Sequence, residues 1–232
     1  MEKSMRNTYK GQISESRRLA VLLALSGGLM DAYTYIFRGQ VFANAQTGNI
    51  LLFGVNLSEG NFGEALLYFF PVLSFALGIV LAEAVHHVCT EDGLFHWRQL
   101  AVLMECIILF AVGFIPATYH LPANALVSFA CGIQVESFRK VQGNASATTM
   151  CIGNLRSGTQ AMCDFISSKD KKFLHKGLIY YGIILAFTLG AVLGNVLIRY
   201  FAQYSIWCSS ILLLAGFLLM FIQSEENPMD SL

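Results

Sequence analysis

GGLMDAYTYIFRGQVFANAQTGNIL (residues 27–51) and GIQVESFRKVQGNASATTMCIGNLR (residues 132–156) decide the reading of this chain. Laid together without a gap at an offset of 105, they place Asp31 on Glu136, Gly48 on Gly153 and Asn49 on Asn154. Ser and Thr residues gather ahead of the second Gly-Asn, as Gln46 and Thr47 stand ahead of the first. An acid followed seventeen residues later by Gly-Asn, twice in an apolar chain, exceeds what a plain core requires. It points to two half-sites facing each other.

The solvent for those half-sites is a membrane. Of 232 residues, 55% are hydrophobic and 13% charged, with mean hydropathy +0.56, where soluble domains carry about 25% charged residues. A hydrocarbon core of about 30 Å needs roughly 20 apolar residues per helix. Six stretches reach that length or approach it: 18–37, 64–88, 99–118, 122–139, 174–200 and 205–223. Net charge is zero, so nucleic acid is not an expected partner. The first eighteen residues are polar and basic and the run after them is long enough to span, so no cleavable signal peptide is expected. The six Cys show no CxxC pairing and lie mostly in apolar segments, where they act as small hydrophobes; no disulfide framework, metal site or cofactor is expected.

Residues 44–57 begin polar, turn apolar and span only about 21 Å as a helix. Residues 147–166 contain Arg156 and Asp164 and are too polar to face lipid. Each follows a Gly-bearing linker, Arg38-Gly39-Gln40 or Gln142-Gly143-Asn144. Both read as broken or re-entrant segments, because irregular backbone at membrane depth needs protein or a water-filled cavity around it. The expected fold is all-α and integral to the membrane: six transmembrane helices plus two half-helices. Residues 1–17 form a cytoplasmic tail, 18–118 the first membrane repeat, 119–223 the second and 224–232 a second cytoplasmic tail.

Positive charge orients this arrangement. With six spans, Lys3, Arg6, Lys10, Arg17, Arg18, Arg98, Arg139, Lys140, Lys169, Lys171, Lys172 and Lys176 share one face, and only Arg38 and Arg199 take the other. Eight spans give a weaker division of nine against five. The six-span form follows the positive-inside rule, with both termini cytoplasmic. Three spans per repeat make the second copy inverted, an arrangement that many transporters share, with a binding site at the repeat interface. Leu77-Gly78-Ile79-Val80-Leu81 echoes Leu189-Gly190-Ala191-Val192-Leu193 and extends the repeat.

Asp31 and Glu136 are the leading candidates for solute or ion binding. An ionised acid at the bilayer centre costs about 2.5–3.5 kcal/mol on insertion scales, and chains keep one where it pairs, lines water or carries protons. The alternative is that each acid braces the broken helix beside it. Thr47-Gly48-Asn49 and Gly153-Asn154 fall in the first turns of the half-helices, where unpaired N–H groups and a partial positive charge are presented. Gln46, Thr148 and Thr149 complete the candidate set. Arg156 needs a partner, and Glu136 is the natural one, with Asp164 second. Gly190 and Gly194 match GxxxG and suit close helix crossings or a homo-oligomer.

The runs GGLMDAYTY…VFANAQTGN and VESFRKVQGNASATTM…GNLRSGT resemble the YoaK-type family of small bacterial integral membrane proteins. The resemblance covers nearly the whole chain. It implies a polytopic inner-membrane protein and leaves the substrate open. Where the second block often reads Thr-Gly-Asn, this chain has Ile152-Gly153-Asn154, which shifts the hydroxyl role to Thr148 and Thr149.

Three function classes fit. A secondary transporter of a small polar or charged solute uses Asp31 and Glu136 to take up protons or cations. A channel uses the two Asn-bearing half-helices as a constriction. A non-transport assembly or sensory protein uses the polar core for rigidity. An enzyme is not expected, since no nucleophile–base pair or metal-ligand spacing is visible and His120 stands alone.

Overall fold

The computed structural model describes residues 16–89 and 96–225. Most of both tails, with Lys3, Arg6 and Lys10, lies outside the described residues. The described chain is helical: α1 (Arg17–Ala32), α2 (Gln46–Ser58), α3 (Phe62–Val88), α4 (Trp97–Val112), α5 (His120–Ser137), α6 (Cys151–Ser168), α7 (Lys171–Phe201) and α8 (Trp207–Glu225). A π-helical turn, Tyr33–Phe37, extends α1, and a 3-10 turn, Ala202–Ile206, joins α7 to α8. A small hairpin pairs β1 (Lys140–Val141) with β2 (Asn144–Ala145). Three stretches are long and apolar enough to cross a membrane: Arg17–Phe37, Phe62–Val88 and Lys171–Phe221, the last holding most of α7 and α8. Their outer faces expose large apolar side chains, such as Leu77, Val80, Leu185 and Leu189, as lipid contact requires.

Caps set several boundaries. The Ser16 hydroxyl accepts from the Leu19 N–H and starts α1. His96 and Gln99 cap one another's backbone at the start of α4. Lys169, in the left-handed region at φ 58°, ends α6, and the Asp170 carboxylate then caps α7 through the Lys172 N–H at 2.8 Å. The expected span 99–118 ends early, at Val112. A Cβ on Gly113 would lie 2.0 Å from Trp207 Nε1, so the indole seals that turn and donates to the Phe110 carbonyl.

Glycines fix the helix crossings. A Cβ on Gly28 would sit 1.9 Å from the Phe187 carbonyl oxygen, and one on Gly190 2.1 Å from that of Leu25. These bring α1 onto α7. Gly78 and Gly132 do the same for α3 and α5, against the carbonyls of Phe129 and Phe75. α1 also packs on α8, α5 on α4, and α4 on α8; α2 lies along α3 and α6 along α7. Small residues let backbones approach where hydrophobic burial offers little drive between helices in lipid.

These contacts correct the ungapped alignment. Gly28 and Gly132 occupy matching crossings and stand 104 apart, as do Gly39 and Gly143, both with positive φ. Asn49 and Asn154 stand 105 apart and donate to the carbonyls of Phe42 and Ala147, which also stand 105 apart. One residue is gained in the second linker. Along the helices, Asp31 is therefore level with Val135, and Glu136 falls one position round.

Candidate functional site

Asp31 lies in the last turn of α1, half-buried, directly before the π-helical turn. π turns leave backbone groups out of the regular ladder and recur at functional sites. Asp31 Oδ1 accepts the backbone N–H groups of Ala43 at 2.8 Å and Asn44 at 2.7 Å. The carboxylate thus holds the chain that leads into α2. Hydrogen bonds to a charged acceptor are about twice as strong as neutral ones.

The second half uses a different group for a similar tie. Buried Gln134 donates from Nε2 to Thr148 Oγ1 at 2.9 Å and to the Leu23 carbonyl at 3.1 Å. Thr148 is the counterpart of Ala43 at the half-helix offset. The two halves therefore carry an acid on one side and an amide on the other, and the expected pair of symmetric acids is replaced by one.

Glu136 is near the end of α5, 15% exposed at its side chain, and pairs with exposed Arg139 at 3.2 Å. Arg156 is exposed on α6, on a broad depression with Ile152, Thr159 and Gln160. The expected Glu136–Arg156 pair does not form; Arg139 follows Glu136 by three residues and takes the carboxylate locally.

The two Gly-Asn motifs fall in the first turns of α2 and α6. Asn49 is fully buried; its Oδ1 accepts from the Phe42 N–H, and its Nδ2 donates to the Phe42 carbonyl and Gln46 Oε1. Asn154 is buried too, accepting from the Ser146 hydroxyl and donating to the Ala147 carbonyl. In this arrangement both amides brace the turn ahead of their own helix. Gln46 Nε2 bonds the Ala43 carbonyl, and Thr47 is exposed. A Cβ on Gly48 would lie 2.8 Å from the Phe42 ring, whereas nothing lies within 4 Å of one on Gly153.

The halves meet at Gly27. Asn44 Nδ2 donates to the Gly27 carbonyl at 3.2 Å, and a Cβ on Gly27 would lie 2.4 Å from Thr149 Cγ2. Asn44 Oδ1 and Thr149 Oγ1, on residues 6% and 5% exposed, have no protein partner among the described residues. Each buried polar atom left unbonded costs about 1–3 kcal/mol. Cys131 of α5 adjoins this point, with its Sγ 3.8 Å from Met30 Sδ and its thiol beside the Asn44 side chain. The geometry ties Asp31 to the Asn44 backbone and sets Asn44 and Thr149 each against Gly27, and leaves Glu136, Gly153 and Arg156 outside.

Three residues escape the sequence reading. Asn44 shows there only as the polar start of a half-helix. Glu105 of α4 is fully buried, with both carboxylate oxygens unpartnered among the described residues, and it lies within electrostatic reach of Cys131. The sequence does carry its signal: an acid in the middle of an apolar span. Arg38 is the third. It is fully buried, and donates from Nε to the Tyr33 hydroxyl and from Nη1 and Nη2 to the carbonyls of Pro116 and Ile115, each at 2.8 Å. Its own carbonyl accepts from Asn124 Nδ2. It therefore locks the end of α1 to the α4–α5 turn.

Comparison with known proteins agrees with the membrane reading. The UPF0700 transmembrane protein YoaK of Bacillus subtilis (strain 168) is 24% identical over 207 residues, covering 84% of this chain and 89% of the relative. No solved structure matches the chain. A family described as "Protein of unknown function (DUF1275)" matches residues 19–219. With most of its length matched and its helices apolar on their outer faces, the chain is a membrane protein belonging to the DUF1275 family, in the company of YoaK.

Proposed function

We propose that this protein is a secondary transporter of a small polar or charged solute, working from the junction of Asp31, Asn44 and Thr149. The reading takes six membrane-crossing helices in two inverted three-span halves, with α2 and α6 re-entrant and both termini in the cytoplasm. The packing supports an exchange of halves: α1 on α7 pairs with α5 on α3, and α1 on α8 with α5 on α4. The thirteen residues of α2 span about 20 Å, less than the hydrocarbon core.

The observation that carries the function is two unpartnered buried oxygens, Asn44 Oδ1 and Thr149 Oγ1, on residues that both adjoin Gly27, with the Asn44 backbone held by the Asp31 carboxylate. Buried polar atoms in native proteins are nearly always bonded. A solute with donor groups satisfies Asn44 Oδ1 and Thr149 Oγ1 together and draws the halves onto itself. Asp31 supplies coupling. A proton or cation on its carboxylate weakens the bonds to Ala43 and Asn44 and frees the linker that positions Asn44. Charge on Asp31 and solute at Asn44 are then linked through one short segment. A channel constriction built from the amides of Asn49 and Asn154 has less support, because both are engaged within their own halves.

Thr149→Val separates this function from packing. Valine has nearly the shape of threonine and removes an oxygen that lacks a partner, so melting of the purified protein should stay unchanged or rise by up to ~1 kcal/mol in stability. Flux should nonetheless fall about tenfold. The assay is solid-supported-membrane current from reconstituted protein, screened with small amino acids and carboxylates at two pH values. Asp31→Asn should retain solute-induced binding signals and lose the pH dependence. Wild-type currents insensitive to both substitutions would refute the assignment.

A further inference from the structure

A groove of about 210 Å3 lies between the first turns of α1 and the His175–Ile183 stretch of α7, beside the β1–β2 hairpin. Its mouth is basic. Arg17 Nε donates to Gln142 Oε1 at 2.6 Å, and its Nη2 contacts His175 Nε2. The floor is apolar, made by Val21, Ile179 and Ile183. Gly182 lies in that floor, and a Cβ there would have nothing within 4 Å. From His175 to Ile183, α7 rises about 12 Å. The groove thus runs from a cationic, solvent-exposed end into the apolar depth of the helices.

We propose that this groove binds one anionic phospholipid, its phosphate on Arg17 and His175 and an acyl chain along Val21, Ile179 and Gly182. Charge complementarity selects the occupant. Arg18, Lys140, Lys172 and Lys176 are exposed on the same segments as the lining residues. The neighbouring acid, Asp170, is engaged in capping α7. Basic pockets between membrane helices on the cytoplasmic side recognise anionic headgroups in this way. A soluble anion would use the mouth and leave the apolar floor uncovered; a second protein chain would not need a cation at one end only. The proposal depends on the membrane location and is independent of the transport reading.

The test is native mass spectrometry of the purified full-length protein. It is titrated with phosphatidylglycerol or with phosphatidylcholine of the same acyl chains. Wild type should prefer phosphatidylglycerol by at least about fivefold, since each Lys or Arg near an anionic headgroup contributes about that much. Arg17→Gln should lose most of that preference. Gly182→Leu should melt as wild type, because its side chain enters open space, and should lose the bound lipid by filling the groove. Equal retention of both lipids by wild type would overturn the proposal. So would undiminished phosphatidylglycerol binding by Gly182→Leu, or full displacement by glycerol phosphate, which would mark a soluble-anion site. A lipid-independent dimer that Gly182→Leu dissociates would assign the groove to a second copy instead.

Discussion

Gly28→Val should prevent α1 from seating on α7. A Cβ at residue 28 meets the Phe187 carbonyl oxygen at 1.9 Å and the Ala191 nitrogen at 2.8 Å. Both obstacles are backbone, so no rotamer change relieves them. The helices must part by more than an ångström along a crossing that Gly190 closes from the other side against Leu25. Overpacking a tight core costs typically ~1–3 kcal/mol even when side chains can yield. Here the loss should reach at least the top of that range, and Gly132→Val should match it at the α3–α5 crossing. The readout is the fraction of monodisperse protein after extraction, with its melting temperature. Gly153→Ala is the control: nothing lies within 4 Å of a Cβ there, and no change is expected. A Gly28→Val protein that melts with wild type would mean that this crossing does not hold the fold.

Arg38→Leu should be nearly as damaging, for a chemical reason. Three charge-assisted bonds at 2.8 Å leave with the guanidinium, stranding the Tyr33 hydroxyl and the carbonyls of Ile115 and Pro116. Each buried acceptor left without its donor costs about 1–3 kcal/mol. The ring faces of Tyr33 and Phe37, 5.3 and 5.2 Å from the guanidinium carbon, lose a cation as well. Arg38→Lys should recover only part, because an ammonium cannot fork between two adjacent carbonyls. Thermal melts of the two variants check the order: leucine lowest, lysine between it and wild type. Equal melting for all three would show that the α4–α5 turn is held by other contacts.

Much of the architecture is legible in the order of the amino acids. The six apolar runs fall on helices, α1, α3, α4, α5, α7 and α8, and those of α1, α3, α7 and α8 lie in stretches long and apolar enough to cross a membrane. α2 and α6 both start just ahead of their Gly-Asn, where the linkers break. What stays hidden has two physical causes. An ungapped match at 105 spans both Gly-Asn motifs and conceals the added residue, so Glu136 takes a position that belongs to Val135. The chemistry then looks symmetric when it is not. In a lipid-facing helix, moreover, apolar periodicity does not say which side faces protein. Arg38 reads as an external charge and is fully buried, while Arg156 reads as an internal one and is exposed. Asn49 and Asn154 stand out by position, but only the bonds around Phe42 and Ala147 reveal them as braces.

Reactivity of single cysteines tests the inverted arrangement most directly. In a background cleared of the six native thiols, Glu59→Cys, Leu94→Cys, Tyr119→Cys and Lys171→Cys are probed with an impermeant maleimide on intact cells. The account predicts labelling at 59 and 119 and none at 94 and 171 until the membrane is opened. Labelling at 94 with none at 59 and 119 would mean that α2 and α6 cross the membrane fully. The halves would then be parallel, and the junction of Asp31, Asn44 and Thr149 would not be a site between inverted repeats.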